Sequence, residues 1–282
     1  MIIIVDALNK HRFGSVLEEM HRLRARVFRD RLGWDVTIVD DMERDLFDDL
    51  NPAHVISLNQ DGDVVGCMRL LQTTGPNMLS DVFYSILDGE APLRSAQIWE
   101  ATRFCVDTQK LAGGKTRNSI SYVTSEVMIA AFEYAQKAGV LDAVAVIDPV
   151  MNRVLKRSGN APYDYLGSAK PMGKVVAMAA LMDCSDTRIA NVRAFSGISH
   201  DVFASEAEFL ERFDQSTHGK APDMHKEPAL TQEITDSEMF AYFAEQMEKA
   251  ENLAEADAVR RLMDAVSDLQ NWQGEQMQQT YH

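Results

Sequence analysis

Two short runs of β-prone residues flank an Asp-Gly step, and this pattern constrains the fold more than any other feature of the chain. The runs cover residues 54–58 and 64–71, and Gln60-Asp61-Gly62-Asp63 lies between them. An Asp-Gly step between two such runs is a strong signal for a β-hairpin, so we predict two neighbouring antiparallel strands. These strands need further elements to cover their faces.

Helical and strand patterns alternate along the first 200 residues. Apolar residues recur at three- and four-residue intervals over residues 13–31, which predicts an amphipathic helix that ends at Gly33. Further strands are predicted at 97–106, 143–147 and 174–182, and further helices at 119–137, 149–157 and 186–195. We therefore expect an α/β (α+β) fold in which a mixed central sheet is flanked by helices.

The acidic residues of the chain are concentrated near its end. From Ala204 onward there are 17 Asp and Glu against 6 Lys and Arg, whereas the preceding residues hold 26 against 22. Apolar residues between 240 and 269 are spaced like one face of a long helix. We predict a domain at 1–203 and an acidic, mainly helical C-terminal extension at 204–282, which packs on the core or a second subunit or binds a partner.

Charge and composition exclude several classes of protein. The net charge of -15 argues against a nucleic-acid partner. No apolar run is long enough to span a bilayer and the first residues do not resemble a signal peptide, so we expect a cytoplasmic protein without a membrane partner. Cys67, Cys105 and Cys184 are odd in number and widely spaced, which predicts buried free thiols and no metal site.

A first set of candidate site residues falls within 25 positions of one another: Arg24, Phe28, Trp34, Asp45 and Asp48. Carboxylates can hold an ammonium group, and aromatic faces attract a cation such as a sulfonium. A surface loop around a core tryptophan would also account for this set, and composition alone favours that simpler interpretation.

A second set combines Glu100, Thr102 and Arg103 with Arg69 of the predicted hairpin. Charged residues in apolar strands are costly unless they are paired or face a cleft. The structural interpretation is an ion pair between Glu100 and one of the arginines. The functional one is an arginine that binds a ligand carboxylate and a glutamate that accepts a proton from an amine. Regular pleating puts Arg103 opposite Glu100 and Thr102, unless a bulge brings them together.

Taken together, the chain resembles the acyl-homoserine-lactone synthases, the LuxI-type autoinducer synthases of bacterial quorum sensing. The resemblance rests on Arg24, Val27-Phe28, Leu32-Gly33-Trp34, Glu43, Asp45, Phe47-Asp48, Gly66, Arg69-Leu70-Leu71, Thr73-Thr74-Gly75-Pro76, Met78-Leu79, Asp81-Val82-Phe83, Trp99-Glu100 and Arg103-Phe104. It is strong over about residues 1–110 and general over 115–200, whereas the extension matches nothing in the family.

The resemblance implies an N-acyltransferase-like, three-layer fold with a cleft in the sheet for a phosphopantetheine thioester. It also implies that an acyl group passes from acyl carrier protein or acyl-CoA to the amine of S-adenosylmethionine. The carboxylate of that substrate then closes the lactone and releases methylthioadenosine. S-adenosylmethionine is thus a consumed substrate, and no cofactor is expected.

Roles for single residues follow from the same resemblance. Glu100 is the expected base, acting through water, together with Arg69 and Arg103. The expected S-adenosylmethionine pocket comprises Arg24, Phe28, Trp34, Asp45, Asp48 and Phe83. The expected acyl pocket comprises Thr102, Phe104, Met128, Val144, Val146, Met151 and Leu155. Residues 143–147 lack a threonine often found in relatives that use 3-oxo chains, which favours an unsubstituted chain.

Arg153, Lys156 and Arg157 form a basic spot on a predicted helix of an acidic protein, and we expect them to dock acyl carrier protein. Cations favoured by the helix dipole at an exposed C-terminal turn are the alternative. Two rival functions are another N-acyltransferase that uses acyl-CoA and a binding module without catalysis. A nucleophilic cysteine is disfavoured because the sequence places no histidine beside Cys67 or Cys105.

Overall fold

The structure is a computed structural model that describes residues 1–111, 119–172 and 175–215 of the 282. Its centre is one mixed sheet of seven strands: β1 (Ile2–Val5), β4 (Ala53–Leu58), β5 (Val64–Gln72), β6 (Ile98–Val106), β7 (Asp142–Ile147), β8 (Asp164–Met172) and β9 (Val175–Asp183). Their order across the sheet is β1-β4-β5-β6-β7-β9-β8. Two short strands, β2 (Ile38–Val39) and β3 (Met42–Glu43), form a separate ribbon. The predicted hairpin is β4 and β5, which pair antiparallel.

Helices cover both faces of this sheet. They are α1 (Gly14–Ala25), α2 (Met78–Asp81), α3 (Ile120–Lys137), α4 (Pro149–Arg157), α5 (Asp186–Ser196) and α6 (Glu206–Asp214). On one face, apolar residues of α1 and α6 pack with Ile56 and Cys67 of the sheet. On the other face, α3 and α5 enclose the larger core cluster. The three layers confirm the predicted fold class.

Most of the helix starts follow from capping residues that the sequence displays. Ser119, Asp148, Ser185 and Ser205 each accept a hydrogen bond from a backbone N–H in the first turn of the helix that follows. The amphipathic pattern over 13–31 is divided, because α1 ends at Ala25 and a π-helical segment continues to residue 31. Strands β1 and β8 were not predicted.

The centre of the sheet opens between β6 and β7. These parallel strands pair at Ile98–Asp142, Trp99–Ala143 and Glu100–Val144. In the described part of the chain, the rest of β6 pairs with β5 alone and the rest of β7 with β9 alone. The two strands therefore separate at Glu100 and Val144, and their facing backbone groups border an opening in the sheet.

A bulge in β6 places Arg103. The pairing of β5 with β6 shifts between Cys67–Cys105 and Arg69–Thr102, so three steps along β6 match two along β5. Arg103 has φ +49°, in the left-handed region that non-glycine residues seldom adopt. This is the irregularity that the sequence left open, and it directs Arg103 to the same face as Thr102.

Helix α6 lies beyond the predicted boundary at 203/204, yet it packs into the core. Phe209 and Phe213 are buried with residues of α1, and the ring of Phe209 meets that of Phe13 edge to face. The division at 203/204 stays a prediction, and the packed body continues at least to Asp214. The helical pattern predicted over 240–269 lies outside the described residues. No helix among those described is long and apolar enough to cross a membrane.

Candidate active site

A buried network of arginines and carboxylates lies on the α1 face of β5 and β6. Arg24 of α1 is fully buried and donates from Nε to Glu43 Oε2 at 2.5 Å. Its two terminal nitrogens donate to the two carboxylate oxygens of Asp48 at 2.7 and 2.8 Å. The bidentate geometry fixes Asp48 against α1.

Arg69 and Arg103 complete this network from the sheet. Arg69 donates from Nε to the Thr102 hydroxyl at 3.0 Å, contacts both oxygens of Asp45, and reaches Asp48 Oδ1 at 2.8 Å. Arg103 reaches Glu43 Oε1 from Nε at 3.1 Å and Asp45 Oδ2 from Nη2 at 2.5 Å. Three guanidinium groups are thus matched by three carboxylates.

The histidines beside the network add no charge to it, and its arginines keep Asp48 ionised. His21 and His54 lie beside it, and burial lowers the pKa of each to about 3, so both rings are neutral near pH 7. Burial by itself raises the pKa of Asp48, but Arg24 and Arg69 outweigh burial and hold that pKa well below its ordinary value. The network is therefore ionised and neutral overall.

Asp45 and Asp48 also shape the backbone that presents them. Asp45 caps the short 3₁₀ turn at Leu46–Asp48 by accepting from the N–H of Phe47, and Asp48 accepts from the N–H of Asp45 at 2.9 Å. This reciprocal capping holds both carboxylates toward the arginines, whereas Asp41 and Asp49 of the same acidic run are exposed. The interpretation as a surface loop around a core tryptophan is wrong, because Asp48 is buried while Trp34 is 40% exposed.

Glu100 is separate from the ionic network. Its two carboxylate oxygens accept hydrogen bonds from the backbone N–H groups of Met78 and Leu79 at 2.8 and 2.7 Å. An ion pair between Glu100 and an arginine was predicted as the structural alternative, and this is wrong because Arg69 and Arg103 bind Asp45, Asp48 and Glu43 instead. Glu100 is fully buried, and burial raises its pKa from 4.5 to about 7, against the opposing effect of the two N–H donors.

Met78 joins Glu100 to the arginines, a role that its residue type does not predict. Its sulfur lies 3.3 Å from Arg69 Nη2 and 3.4 Å from Arg103 Nη1, while its N–H binds Glu100. Glu43 was also missed as a site residue, although it bridges Arg24 and Arg103. The only sequence signal for either is its place among the residues that carry the family resemblance.

Two stacked aromatic rings lie beside the site, the buried Phe28 and the exposed Trp34. The π-helical segment ends with a hydrogen bond that spans five residues, and Gly33 then adopts a left-handed conformation with φ +64°. Together they turn the chain back, so that Trp34 N donates to Phe28 O. The rings of Phe28 and Trp34 then stack at 5.0 Å, and the Arg103 guanidinium lies 5.6 Å from the Phe28 ring centre. Phe83 packs instead with the cluster beside β7 and β9.

The residues predicted for the acyl pocket do not form one cluster. Phe104, Met128, Met151 and Leu155 belong to the core on the α3 face. Val144 and Val146 alternate to the opposite face, where they pack with Leu79 and Ile86. The hydroxyl of Thr102 binds Arg69. The two groups thus lie on opposite faces of the sheet in which β6 and β7 separate.

The remaining candidates lie away from this site. Arg153, Lys156 and Arg157 are exposed on α4, and none forms an ion pair with another described residue. Cys67, Cys105 and Cys184 are buried free thiols. Burial raises the pKa of Cys105 well above its ordinary value, which disfavours a thiolate nucleophile. Within the described ranges, no group of three or more metal-binding side chains is arranged to hold an ion.

In this structure a mixed sheet opens beside buried carboxylates, arginines and a glutamate whose pKa is about 7. This combination is that of an acyl-transfer enzyme. The chain belongs to the autoinducer synthase family, whose model matches residues 9–192. A probable acyl-homoserine-lactone synthase of Sinorhizobium fredii is 38% identical over 186 residues, which are 64% of this chain and 88% of that protein. The acyl-homoserine-lactone synthase of Agrobacterium fabrum is 34% identical over 178 residues, 63% of this chain and 83% of that protein.

Solved structures agree with this assignment. The crystal structure of the synthase LasI has a TM-score of 0.59 and 31% identity, and the match covers 69% of this chain and 94% of LasI. MesI, described as a CoA-dependent acyl-homoserine lactone synthase, has a TM-score of 0.63 and 28% identity, with 73% of this chain and all of MesI covered. The predicted family, fold class and enzyme class, an acyltransferase of autoinducer synthesis, are confirmed.

Proposed function

We propose that the arginine–carboxylate network and the Phe28–Trp34 stack bind S-adenosylmethionine, and that Glu100 activates its amine for attack on an acyl thioester. The observation that carries this proposal is the neutral ionic network, buried where the sheet opens and beside an exposed Trp34 that stacks on Phe28. Such a site suits a substrate that combines an ammonium group, a carboxylate, a sulfonium and an aromatic base.

The balance of charges explains how an amino acid enters a site whose arginines are already paired. Arg103 is the accessible arginine, with 12% of its side chain exposed, whereas Arg24 and Arg69 are fully enclosed. The substrate carboxylate binds Arg103, and the acid released from Arg103 faces the substrate ammonium. The substrate carboxylate and ammonium group cancel, so the network stays neutral. The sulfonium, the third charge of the substrate, lies outside the network against the ring of Trp34, which stacks on Phe28.

Glu100 has the pKa of a base that works near neutral pH. Each of its oxygens accepts one backbone N–H and retains a second lone pair, so a water molecule can carry the proton from the amine. The neutral amine attacks the thioester carbonyl, and the thiol of the donor leaves. No acyl-enzyme intermediate is required.

The open edges of β6 and β7 accommodate the donor arm in this proposal. Unpaired peptide groups beyond Glu100 and Val144 bond the amides of phosphopantetheine as an added strand would. The acyl chain then enters the apolar interior bordered by Phe104, Met128, Val146, Met151 and Leu155. After acyl transfer, the substrate carboxylate attacks its own γ-carbon and displaces methylthioadenosine. S-adenosylmethionine is consumed, and we propose no further cofactor.

Release of methylthioadenosine tests the reaction. Purified protein given S-adenosylmethionine and an acyl carrier protein loaded with an unsubstituted chain should form methylthioadenosine and an acyl-homoserine lactone, detected by mass spectrometry. Trp34→Ala and Arg103→Ala should weaken S-adenosylmethionine binding in calorimetry. Phe195→Ala removes another exposed aromatic ring, on α5, and is the matched control. Wild-type affinity in both site variants would contradict the assignment.

We propose that acyl carrier protein, which is acidic, docks on Arg153, Lys156 and Arg157 of α4. Charge reversal of all three should raise the KM for acyl carrier protein, most strongly at low salt. The KM for the same acyl group on coenzyme A is the internal control and should change little. An equal rise for both donors would show damage to the opening in the sheet and would exclude a docking role.

We also propose that the enzyme works in the cytoplasm without a nucleic-acid or membrane partner. Three free buried thiols fit a reducing compartment, and the net charge of -15 disfavours anionic polymers and lipids. Retention of the enzyme in the soluble fraction of cell lysates, with no nucleic acid in the purified complex, is the expected result.

A further inference from the structure

Two buried thiols face each other directly beneath the active site. Cys67 on β5 and Cys105 on β6 are partners in the antiparallel register, and their sulfur atoms are 3.4 Å apart. Directly opposed residues of antiparallel strands have Cα atoms about 4.5 to 5.5 Å apart, within the span that a disulfide bridges. A bond between these sulfurs therefore needs only a small movement of the backbone.

The pair is connected to Arg103 by a single contact. The Cys67 thiol donates to the backbone carbonyl of Arg103, with sulfur and oxygen 3.6 Å apart. That carbonyl belongs to the bulge, where Arg103 adopts its left-handed conformation. The backbone that directs Arg103 toward Glu43 and Asp45 is thus held in part by a thiol.

The reaction proposed above makes no use of either sulfur. Both thiols are enclosed in the core cluster of α1 and α6. Packing alone accounts for small apolar residues at these positions, but it does not require a thiol that bonds the bulge carbonyl. Cys184 is the third cysteine of the chain, and it belongs to the separate core on the α3 face.

We propose that Cys67 and Cys105 are a site of reversible oxidative modification, at which a disulfide displaces Arg103 and slows the enzyme. Hydrogen peroxide converts one thiol to a sulfenic acid and is itself reduced to water. The second thiol then displaces a second water and forms the S–S bond, so that two electrons and two protons leave the protein in total. A dithiol reductant reverses the reaction. In reducing compartments, disulfides of this transient kind are usually regulatory or catalytic.

Burial determines which oxidants can act. Both thiols are shielded, so reaction depends on local opening of the strands and should be slow compared with that of an exposed thiol. A small oxidant such as hydrogen peroxide should therefore act faster than glutathione disulfide at equal concentration. Mixed disulfides with glutathione are not expected, because the core around the pair has no room for the tripeptide.

The disulfide affects the site in two ways. It shortens the separation of the two sulfurs from 3.4 Å to about 2 Å, and it removes the S–H donor from the Arg103 carbonyl. Displacement of a substrate-binding group by about 1 Å can cost on the order of 100-fold in rate. We expect methylthioadenosine release to fall between about tenfold and 100-fold, with recovery after reduction.

The experiment counts thiols and measures rate on the same samples. Reduced enzyme is treated with hydrogen peroxide, denatured, alkylated and weighed by mass spectrometry. All three cysteines should alkylate before oxidation and one of the three afterwards, with a peptide map that joins Cys67 to Cys105. Cys184→Ala should keep the full response, whereas Cys67→Ala and Cys105→Ala should lose both the bond and the reversible slowing.

Each alternative result has a defined meaning. Three alkylated thiols after oxidation, or a cross-linked enzyme with an unchanged rate, would overturn the proposal. Loss of rate that dithiothreitol does not restore indicates methionine sulfoxide, for example at Met78, and also overturns it. The thiol count does not depend on catalytic turnover, so it separates failure of this proposal from failure of the proposed reaction.

Discussion

Replacement of Glu100 by glutamine tests whether the buried carboxyl group changes ionisation near neutral pH. Burial raises the pKa of Glu100 from 4.5 to about 7, so the native state binds a proton that the unfolded chain releases between these values. Glu100 therefore contributes stability that is fully present below pH 4.5 and is lost as the pH rises through about 7. The shift corresponds to about 3 kcal/mol of unfolding free energy.

Glu100→Gln removes this pH dependence and keeps the shape of the side chain. Its amide places an NH₂ group against the N–H of Met78 or Leu79, and that lost hydrogen bond costs about 1 to 3 kcal/mol at every pH. The difference in unfolding free energy, variant minus wild type, should therefore increase by about 2 to 3 kcal/mol between pH 5 and pH 8. Turnover of the variant should fall while S-adenosylmethionine binding is retained.

Urea unfolding at pH 5, 6.5 and 8 measures the stability, and methylthioadenosine release over the same range measures the rate. Glu90→Gln makes the same chemical change at an exposed glutamate and controls for general effects. The reasoning is refuted if the difference between Glu100→Gln and wild type is the same at all three pH values. A base also predicts that the wild-type rate declines below about pH 7, and that the residual rate of the variant lacks this decline.

Three further predictions concern the ionic network and the loop beside it. Arg24→Met should lower the unfolding free energy by about 3 to 5 kcal/mol at pH 7 in urea titrations, because it leaves buried carboxylates unpaired. Wild-type enzyme should lose the stability that ionised Asp48 contributes only in strong acid, because the lowered pKa keeps Asp48 ionised until the pH falls well below 3.8. Circular dichroism across an acid titration should show this late unfolding transition, and Asp48→Asn should change the pH at which it occurs. Gly167→Ala should lower the melting temperature, because a Cβ there would lie 1.8 Å from the Ile86 carbonyl oxygen and φ is +56°.

The architecture of the sheet could be predicted from local patterns wherever these were strong. The Asp-Gly step fixed the hairpin of β4 and β5, and the Asp148-Pro149 pair fixed the start of α4. Strand β8 escaped prediction because its residues lack both alternation and apolar character, and most are exposed. The π-helical segment escaped because apolar residues at three- and four-residue intervals do not distinguish it from a continuing α-helix.

The candidate site was only partly accessible to sequence reasoning. Residue types identified Arg24, Asp45, Asp48, Arg69 and Arg103 as candidates, yet they could not say which charges pair. The closeness of Glu100 and Arg103 along one strand predicts an ion pair between them. The bulge and the two N–H groups of α2 override that interpretation. Both depend on contacts between segments more than 20 residues apart.

The acidic run after residue 40 shows why such a site is misread from composition. Considered locally, Glu43, Asp45 and Asp48 repel one another and belong in water. In the folded chain, each binds two of the three arginines that α1, β5 and β6 supply, and the whole set has no net charge. No carboxylate has an arginine to itself, so the charges are neutralised by the set as a whole. In the proposed binding mode, the carboxylate and the ammonium group of the substrate balance each other within the network, and the sulfonium charge lies outside it, against the exposed ring of Trp34.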